Sequence, residues 1–332
     1  MTANAATRLI QHYVDNFRRL PWRSPPGAAP PDPYRVWLSE IMLQQTTVAA
    51  VVPRFDRFIA RWPTITALAA ARDEDILKEW AGLGYYARAR NLILCAREIC
   101  ERGGFPRTAT ELRTLPGIGD YTAGAIAAIA FGEKAPAIDT NVQRVIARLF
   151  GLEAPSRSET VEKLDRLMKN VAAGDLTQAM MDLGAAICRP RSPRCAICPL
   201  SGDCTAFSAG TPERFPQPRA RRHRPLRHGI AWWIERNGEV WLVRRPAKGM
   251  LGAMAALPGT EWTQEVPPAA GAFGTIRHDF THFALDLVVA EGSAPLGDGW
   301  WHPVSALADA GLPTLYRRAA AIALDREGRR AA

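Results

Sequence analysis

The stretch LPGIGDYTAGAI, residues 115–126, separates two helical regions of the chain. Its glycines, Gly117 and Gly119, flank one apolar residue, so they permit a tight hairpin and let the backbone approach a ligand closely. A helix is expected to begin at Asp120-Tyr121, and its free N–H groups can bind an anion. Taken alone, however, the stretch is better explained as an ordinary turn between helices.

Around this hairpin, apolar residues recur at helical spacing, as at Val36, Trp37 and Ile41. Beyond residue 227 the pattern changes to strand-like runs. These runs are 230–235, 240–243, 275–277 and 283–289. A last helix is expected to begin at Pro313 and to continue towards Arg326. The fold class predicted is an all-α domain followed by a smaller α+β domain.

A basic segment separates the two parts. Residues 209–227 contain six arginines and four prolines but one acid, which is typical of an extended linker. The predicted organisation is a helical domain over 1–208, a linker over 209–227 and a second domain over 228–332. Two explanations account for the segment equally well. It is either a linker that contacts nucleic acid or a solvated hinge without a partner.

Length and composition exclude several classes of protein. The 332 residues, 47% hydrophobic and 23% charged, suit two soluble domains. The run Ala123 to Gly132 is about half as long as a membrane-spanning helix, and residues 1–22 lack a signal-peptide core. We therefore expect neither a membrane protein nor an exported one, but a cytoplasmic one. The net charge of +9 fits a polyanion such as DNA.

Four cysteines lie within 17 residues with the spacing C-x6-C-x2-C-x5-C: Cys188, Cys195, Cys198 and Cys204. In a reducing cytosol, four thiolates so close together suit a soft metal centre better than disulfides. Zinc is the alternative, but its modules usually pair two knuckles across a longer stretch. One tight loop with unequal gaps better encloses a [4Fe-4S] cluster, which needs one cysteine per iron. Cys95 and Cys100, on a predicted helix, are expected in the core.

Two carboxylates are candidates for chemistry. Glu40 shares a helical stripe with Val36, Trp37 and Leu43, where loss of water would raise its pKa and preserve a proton for acid catalysis. Asp139 precedes a predicted helix over 142–150 and is at least an N-cap. A protonated Glu40 beside an ionised Asp139 would form the acid-and-stabiliser pair that glycosidic cleavage uses. A helix-start acid is the alternative for Glu40.

Several motifs together resemble the helix–hairpin–helix DNA glycosylases that have an iron–sulfur loop, and in particular the MutY-type adenine DNA glycosylases. Besides the hairpin and the cysteine loop, the matching motifs are LPWR (20–23), SEIMLQQT (39–46), GLGYYARARNL (82–92), IDTNVQRV (138–145) and QAMMDLGAAIC (178–188). The resemblance extends more weakly to IRHDFTHF (276–283) and to a Nudix-like fold for the second domain.

The resemblance implies a role for each matching residue. Glu40 would protonate adenine, Asp139 would stabilise the sugar cation, and Asn141 and Tyr121 would complete the catalytic site. The adenine pocket would be formed by Trp22, Arg23, Leu43 and Gln178. Gln45 and Tyr85 would fill the gap left in the duplex by the flipped base. DNA would be bound by Leu115, Gly117 and Gly119. A turn between two strands would sense 8-oxoguanine through Phe280, Thr281 and His282. The alternative is that this turn is an ordinary hairpin with a packed Phe280.

The chain departs from the family pattern at three positions. Thr140 stands where glycine is usual, Thr281 where serine is typical, and Asp120, a possible helix cap, where a basic or neutral residue is commoner. None of these changes removes a group that the mechanism needs. After residue 209 there is no G-x5-E-x7-R-E-x2-E-E box, so the second domain is interpreted as a recognition module without Mg²⁺ chemistry.

The function predicted is a monomeric, monofunctional glycosylase that excises adenine opposite 8-oxoguanine or guanine in double-stranded DNA. One alternative is an endonuclease III-like enzyme that also cleaves the backbone, but such relatives have a Schiff-base lysine where this chain has Tyr121. A second alternative is a non-enzymatic iron–sulfur DNA-binding sensor, which would not need Glu40 and Asp139.

Overall fold

The computed structural model describes residues 2–217, 224–246, 249–252, 254–280 and 282–331. They form two compact units, one of Met1–Leu83 with Arg88–Ala220 and a second of Arg221–Ala332 with the short segment Gly84–Ala87. The domain bounds given above stay a prediction, and residues 218–223 of the linker lie outside the described ranges. Within those ranges, no helix has the length and apolar character that crossing a bilayer requires.

All regular secondary structure in the described residues of the first unit is helical. Its helices are α1 (Thr2–Asp15), α2 (Pro33–Leu43), α3 (Val48–Arg61), α4 (Ile65–Ala69), α5 (Asp73–Glu79), α6 (Tyr86–Glu101), α7 (Ala109–Leu112), α8 (Asp120–Phe131), α9 (Thr140–Phe150), α10 (Arg157–Met168), α11 (Ala173–Ala186) and α12 (Thr205–Ser208). Short 3-10 turns at Cys195–Ile197, Ser201–Asp203 and Pro212–Arg214 complete it.

Helix α8 lies at the centre of this unit. Its residues from Thr122 to Ala130 are all buried, and it packs against α2, α7 and α11. Small residues allow this close packing: a Cβ added at Gly174 of α11 would lie 2.9 Å from the carbonyl oxygen of Ala128 in α8. The hairpin that precedes α8 is thus fixed beside the helix that carries Glu40.

The starts of α2 and α9 are fixed by aspartate caps. Asp32 accepts a hydrogen bond from the Tyr34 N–H at 2.7 Å, and Pro33 occupies the first turn of α2. Asp139 caps α9, which begins at Thr140, two residues before the predicted start. Both caps therefore hold the first turn of a helix that contributes to the site described below.

The second unit combines two sheets with a helix. Its strands are β1 (Leu226–Trp233), β2 (Glu235–Arg236), β3 (Glu239–Arg244), β4 (Ala255–Ala256), β5 (Ala272–Asp279), β6 (Ala284–Glu291) and β7 (Gly299–Pro303), and its helix is α13 (Thr314–Ala331). One sheet has the order β1-β6-β5, with β1 parallel to β6 and β5 antiparallel to it. The other has the order β2-β3-β4, with β7 also paired to β3. Helix α13 packs on β5, β6 and β1.

The predicted fold class, an all-α part followed by an α+β part, is confirmed. The runs 240–243 and 275–277 lie within β3 and β5, the run 230–235 continues from β1 into β2, and the run 283–289 begins one residue before β6. Helix α13 begins directly after Pro313 but extends beyond Arg326 to Ala331. The linker is less extended than expected. Pro212–Arg214 form a 3-10 turn, and Leu226 and Arg227 already belong to β1, because β6 provides pairing partners for both.

Candidate active site and iron–sulfur loop

One cavity of about 200 Å³ in the helical unit is lined by every residue predicted for catalysis or for the adenine pocket. These are Trp22, Arg23, Glu40, Leu43, Tyr121, Asp139, Asn141 and Gln178. They come from α2, α8, the start of α9, α11 and the segment before α2, so residues more than 100 positions apart in sequence meet here.

Glu40 is buried in this cavity, with 6% of its surface exposed. Burial raises the pKa of its carboxyl from 4.5 to about 7, since the charged form loses water, and the negative charge of Asp139 acts in the same direction. A hydrogen bond with Tyr121 and the charge of Arg23 oppose this increase. At neutral pH a large fraction of Glu40 therefore carries a proton, as the sequence led us to expect.

Tyr121 lies beside Glu40 as a neutral phenol. Burial, followed by the nearby charges of Glu40 and Asp139, raises its pKa well above the usual value of 10. Its hydroxyl also lies 3.8 Å from the sulfur of Met181. Tyr121 can therefore donate a hydrogen bond but cannot act as an amine nucleophile.

Asp139 is both a helix cap and a member of the cavity. Its carboxylate accepts hydrogen bonds from the Val142 N–H and from Asn141 Nδ2, each at 2.7 Å. Asn141 in turn accepts a hydrogen bond from Arg144 Nη2 at 2.8 Å. These contacts fix the orientation of the carboxylate before any ligand binds.

Two pocket residues have distinct polar environments. Arg23 donates to both carboxylate oxygens of Asp182, at 2.6 and 3.0 Å, and its side chain is almost fully buried. Gln178 is 5% exposed and donates to the carbonyl of Gly174, while its Oε1 accepts no hydrogen bond within the described part of the chain. A buried acceptor without a partner is unfavourable unless a ligand supplies a donor.

Sequence reasoning missed Asp182 and Arg144. Asp182 lies one helical turn after Gln178, within a motif that was already recognised, so their i, i+4 spacing is the signal that could have found it. Arg144 lies three residues after Asn141, is 8% exposed, and also donates to the carbonyls of Gly184 at 2.8 Å and Cys188 at 2.7 Å. It thereby joins the cavity to the cysteine loop.

The four predicted cysteine ligands line a second cavity together with Arg148. Arg148 Nη1 lies 3.4 Å from the sulfur of Cys188, and the Cys204 thiol faces the Arg148 carbonyl at 3.4 Å. Within the described residues, no three metal-ligating side chains converge on one point as they would around a single ion. Four thiol donors around a cavity, with a cation beside them, fit an anionic iron–sulfur cluster. Cys95 is buried, as expected, and Cys100 is half-buried.

The predicted hairpin residues lie outside the first cavity. Leu115 is buried, and Gly117 has a φ of +75°, where an added Cβ would lie 2.7 Å from the Cβ of Asn91. Gly119 is the N-cap of α8. The expectation that Asp120 caps this helix is wrong, because Asp120 instead pairs with Arg113 at 3.2 Å and Arg157 at 3.1 Å.

Gln45 and Tyr85, the residues predicted to fill the duplex, also lie outside the cavity. Both are exposed and have positive φ values, +56° and +47°. Positive φ is uncommon for residues other than glycine and is often found at functional sites.

In the second unit, the turn between β5 and β6 carries the predicted lesion-sensing residues. It is closed by a hydrogen bond from the Phe280 N–H to the Phe283 carbonyl at 2.9 Å. The Phe280 ring is half-buried and stacks on Trp262 at a centroid distance of 5.4 Å, so it packs as in an ordinary hairpin. His282 is exposed, and Thr281 lies outside the described residues.

Comparisons with known proteins find three families along the chain. Residues 38–170 match the HhH-GPD superfamily of base excision DNA repair proteins, residues 188–204 match the iron–sulfur binding domain of endonuclease III, and residues 230–321 match a NUDIX domain. The prediction of a [4Fe-4S] cluster rather than zinc is thereby confirmed.

Similar proteins include adenine DNA glycosylases from distant organisms. The human enzyme is 31% identical over 87% of this chain, which spans 67% of that protein. The Buchnera aphidicola (strain Sg) enzyme is 30% identical, with 87% of each chain covered. Among solved structures, a thermostable thymine-DNA glycosylase is 30% identical with a TM-score of 0.56, over 61% of this chain and 95% of its own. The chain thus belongs to the adenine DNA glycosylase family of helix–hairpin–helix base excision repair proteins.

Proposed function

We propose that this protein hydrolyses the N-glycosidic bond of adenine mispaired with 8-oxoguanine or guanine in double-stranded DNA. The observation that carries the proposal is the pairing of a buried Glu40 with a half-buried Asp139 in one cavity, with the pKa of Glu40 raised to about 7. Monomeric action in the cytoplasm is part of the same proposal.

The residues of the cavity suggest how the bond is cleaved. Glu40 transfers its proton to a ring nitrogen of adenine, so that the base accepts the bonding electron pair as the C1′–N bond breaks. The fixed carboxylate of Asp139 stabilises the positive charge on the sugar. Water then adds to C1′ and transfers a proton to the Glu40 carboxylate, which restores the acid. Asn141 orients Asp139 throughout. The unpaired Oε1 of Gln178 accepts a hydrogen bond from the exocyclic amine of adenine.

The cysteine loop gives the protein its second functional element. Cys188, Cys195, Cys198 and Cys204 would hold the [4Fe-4S] cluster, which supplies cross-links within a loop of little regular structure. Gln45 and Tyr85 are assigned to filling the gap left by the flipped base. Leu115, Gly117 and Gly119 are assigned to DNA contact, and His282 to recognition of the opposite base.

An excision assay on a duplex with one A·8-oxoguanine pair tests the proposal, with A·G and A·T duplexes for comparison. Release of adenine from the first two duplexes is expected, and a protein that binds DNA without releasing a base would instead support the sensor alternative.

Borohydride trapping separates the proposal from the bifunctional alternative. Among the described residues that line the cavity there is no lysine, and Tyr121 cannot form an imine. We therefore expect little trapped enzyme–DNA adduct. Efficient trapping, together with strand cleavage that matches base release, would favour the lyase mechanism.

A further inference from the structure

Gln45 and Tyr85 are two of the five described non-glycine residues with left-handed backbone, and both are exposed. Gln45 follows the end of α2 with a φ of +56°, and Tyr85 precedes α6 with a φ of +47° and 53% of its surface exposed. Left-handed backbone is unfavourable for residues with a Cβ, so it persists only where surrounding contacts hold it. One side chain donates hydrogen bonds to the turns around both residues.

Arg88, near the start of α6, donates four hydrogen bonds to these turns. Its Nη1 donates to the carbonyls of Ile41 and Met42, each at 3.0 Å. Its Nη2 donates to the Thr46 hydroxyl at 3.1 Å and to the Leu83 carbonyl at 2.9 Å. Ile41 and Met42 lie four and three residues before Gln45, and Thr46 directly follows it. Leu83 lies two residues before Tyr85.

A guanidinium suits this position better than any other side chain. Its donors have a fixed planar arrangement. Nη1 donates to the turn that contains Gln45, and Nη2 donates to this turn and to the one before Tyr85. The planar group therefore sets the geometry of the two turns together. The carbonyls of Ile41 and Met42 lie in the last turn of α2, where partners are lacking and a positive charge is favourable. The guanidinium also lies over the ring of Trp80, at 5.3 Å from the centroid.

We propose that Arg88 is a positioning residue for base flipping, because it holds Gln45 and Tyr85 in the conformations in which they enter the duplex. The inference rests on the proposed function, in which these two side chains replace the stacking of the extruded adenine. Flipping a base is costly, and side chains that are already in place at insertion lose less freedom than side chains that must first order. Loss of Arg88 would therefore slow extrusion of the base and leave the chemistry at Glu40 unchanged.

Single-turnover excision by Arg88→Gln and Arg88→Lys on an A·8-oxoguanine duplex tests the proposal. We expect Arg88→Gln to reduce the rate by about tenfold or more, equivalent to a barrier increase of about 1.4 kcal/mol. Arg88→Lys should restore part of the loss. The loss of rate in Arg88→Gln should be smaller on a duplex in which an abasic analogue flanks the adenine, because that adenine is already partly unstacked. The pH at which the rate falls should not move.

Fluorescence gives a second measurement that is independent of chemistry. In a Glu40→Gln background, 2-aminopurine in place of the target adenine brightens when it leaves the stack, and Arg88→Gln should weaken this increase. Arg97→Gln is the matched control: Arg97 is also on α6, but it donates to the Ala69 carbonyl at 3.4 Å and pairs with Asp73, away from both turns.

Thr46→Ala keeps the test decisive if Arg88→Gln fails to fold. It removes one acceptor of Arg88 and leaves the Leu83 bond, so a smaller loss with the same dependence on the abasic neighbour is expected. Equal losses on both duplexes, a shifted pH profile or an unchanged fluorescence increase would overturn the proposal. Failure of the wild-type protein to release adenine would contradict the proposed function instead.

Discussion

The protonation state of the Glu40 carboxyl group affects both catalysis and folding stability. Its pKa is raised from 4.5 to about 7 by burial, a change worth about 3 kcal/mol. Because the folded pKa exceeds the unfolded one, the associated stability is fully present below about pH 4.5 and is lost as the pH rises through about 7. The proton that serves catalysis is therefore held at a site that destabilises the fold once the proton leaves.

Glu40→Gln is predicted to separate these two effects. Glutamine keeps the size and hydrogen bonding of the side chain but supplies no acidic proton, so excision should fall by a factor of about 10² to 10⁴. Binding to the mispaired duplex should persist. Near-normal turnover in the single-turnover assay would rule out Glu40 as the acid.

Thermal unfolding of the same variant should show the stability effect. At pH 8, Glu40→Gln should be more stable than the wild type by about 3 kcal/mol, because it avoids a buried charge. Near pH 4.5 the two proteins should unfold at similar temperatures. A variant that is less stable than the wild type at pH 8 would show that Glu40 is not desolvated in the folded protein.

The pH dependence of excision should follow from the same group. Since the protonated form of Glu40 is the active one, the single-turnover rate should be level below pH 7 and should fall by about tenfold per pH unit above it. Single-turnover conditions are required so that product release does not mask the chemical step. A rate that rises through pH 7 would instead indicate that Glu40 acts as a base.

At the scale of helices and strands, sequence patterns predicted some features and missed others. The α9 cap at Asp139 and the burial of Glu40 could be predicted, because both depend on neighbours within one turn of a helix. The Arg144 contacts and the two shortest strands, β2 and β4, could not be predicted. Arg144 reaches a carbonyl 44 positions away, at Cys188, and β2 and β4 are two residues long, too short for periodicity to register.

The cysteine loop is the element whose stability depends most on a cofactor. Apart from two 3-10 turns of three residues, the described segment from Cys188 to Cys204 has no regular secondary structure. Cys198→Ser is predicted to lower the yield and the unfolding temperature of the protein, because the cluster closes a loop that has almost no regular secondary structure of its own.

Metal analysis of the wild-type protein accompanies this variant. We expect about four irons per chain and the broad visible absorption of an iron–sulfur protein. Cys95→Ser is a suitable control, since Cys95 is buried outside the loop and should leave the iron content unchanged. Stoichiometric zinc in protein prepared without oxygen would contradict the assignment.

At the scale of the whole molecule, the chain must distinguish a damaged pair from a normal one. Adenine is an ordinary base, so the cavity around Glu40 can test adenine itself but cannot detect 8-oxoguanine on the opposite strand. We assign that test to the second unit, where His282 is exposed on the turn between β5 and β6.

Removal of His228 to Ala332 is predicted to leave a protein that still releases adenine but prefers A·8-oxoguanine over A·G much less strongly. His282→Ala should reproduce part of this loss, and His12→Ala, on α1, is its matched control. The relative excision rates on the two duplexes give the measurement. If the truncated protein discriminates as well as the full chain, the second unit has another role.

Asp139 caps α9 and is also the stabilising carboxylate of the proposed mechanism. This combination has a genetic consequence. Asparagine caps a helix as well as aspartate does, so Asp139→Asn would remove the catalytic charge and keep α9 intact. An allele of this kind would encode a folded protein that occupies a mispair and does not excise the base, shielding the lesion from a working copy. Such alleles would behave as dominant, whereas those that prevent folding would be recessive.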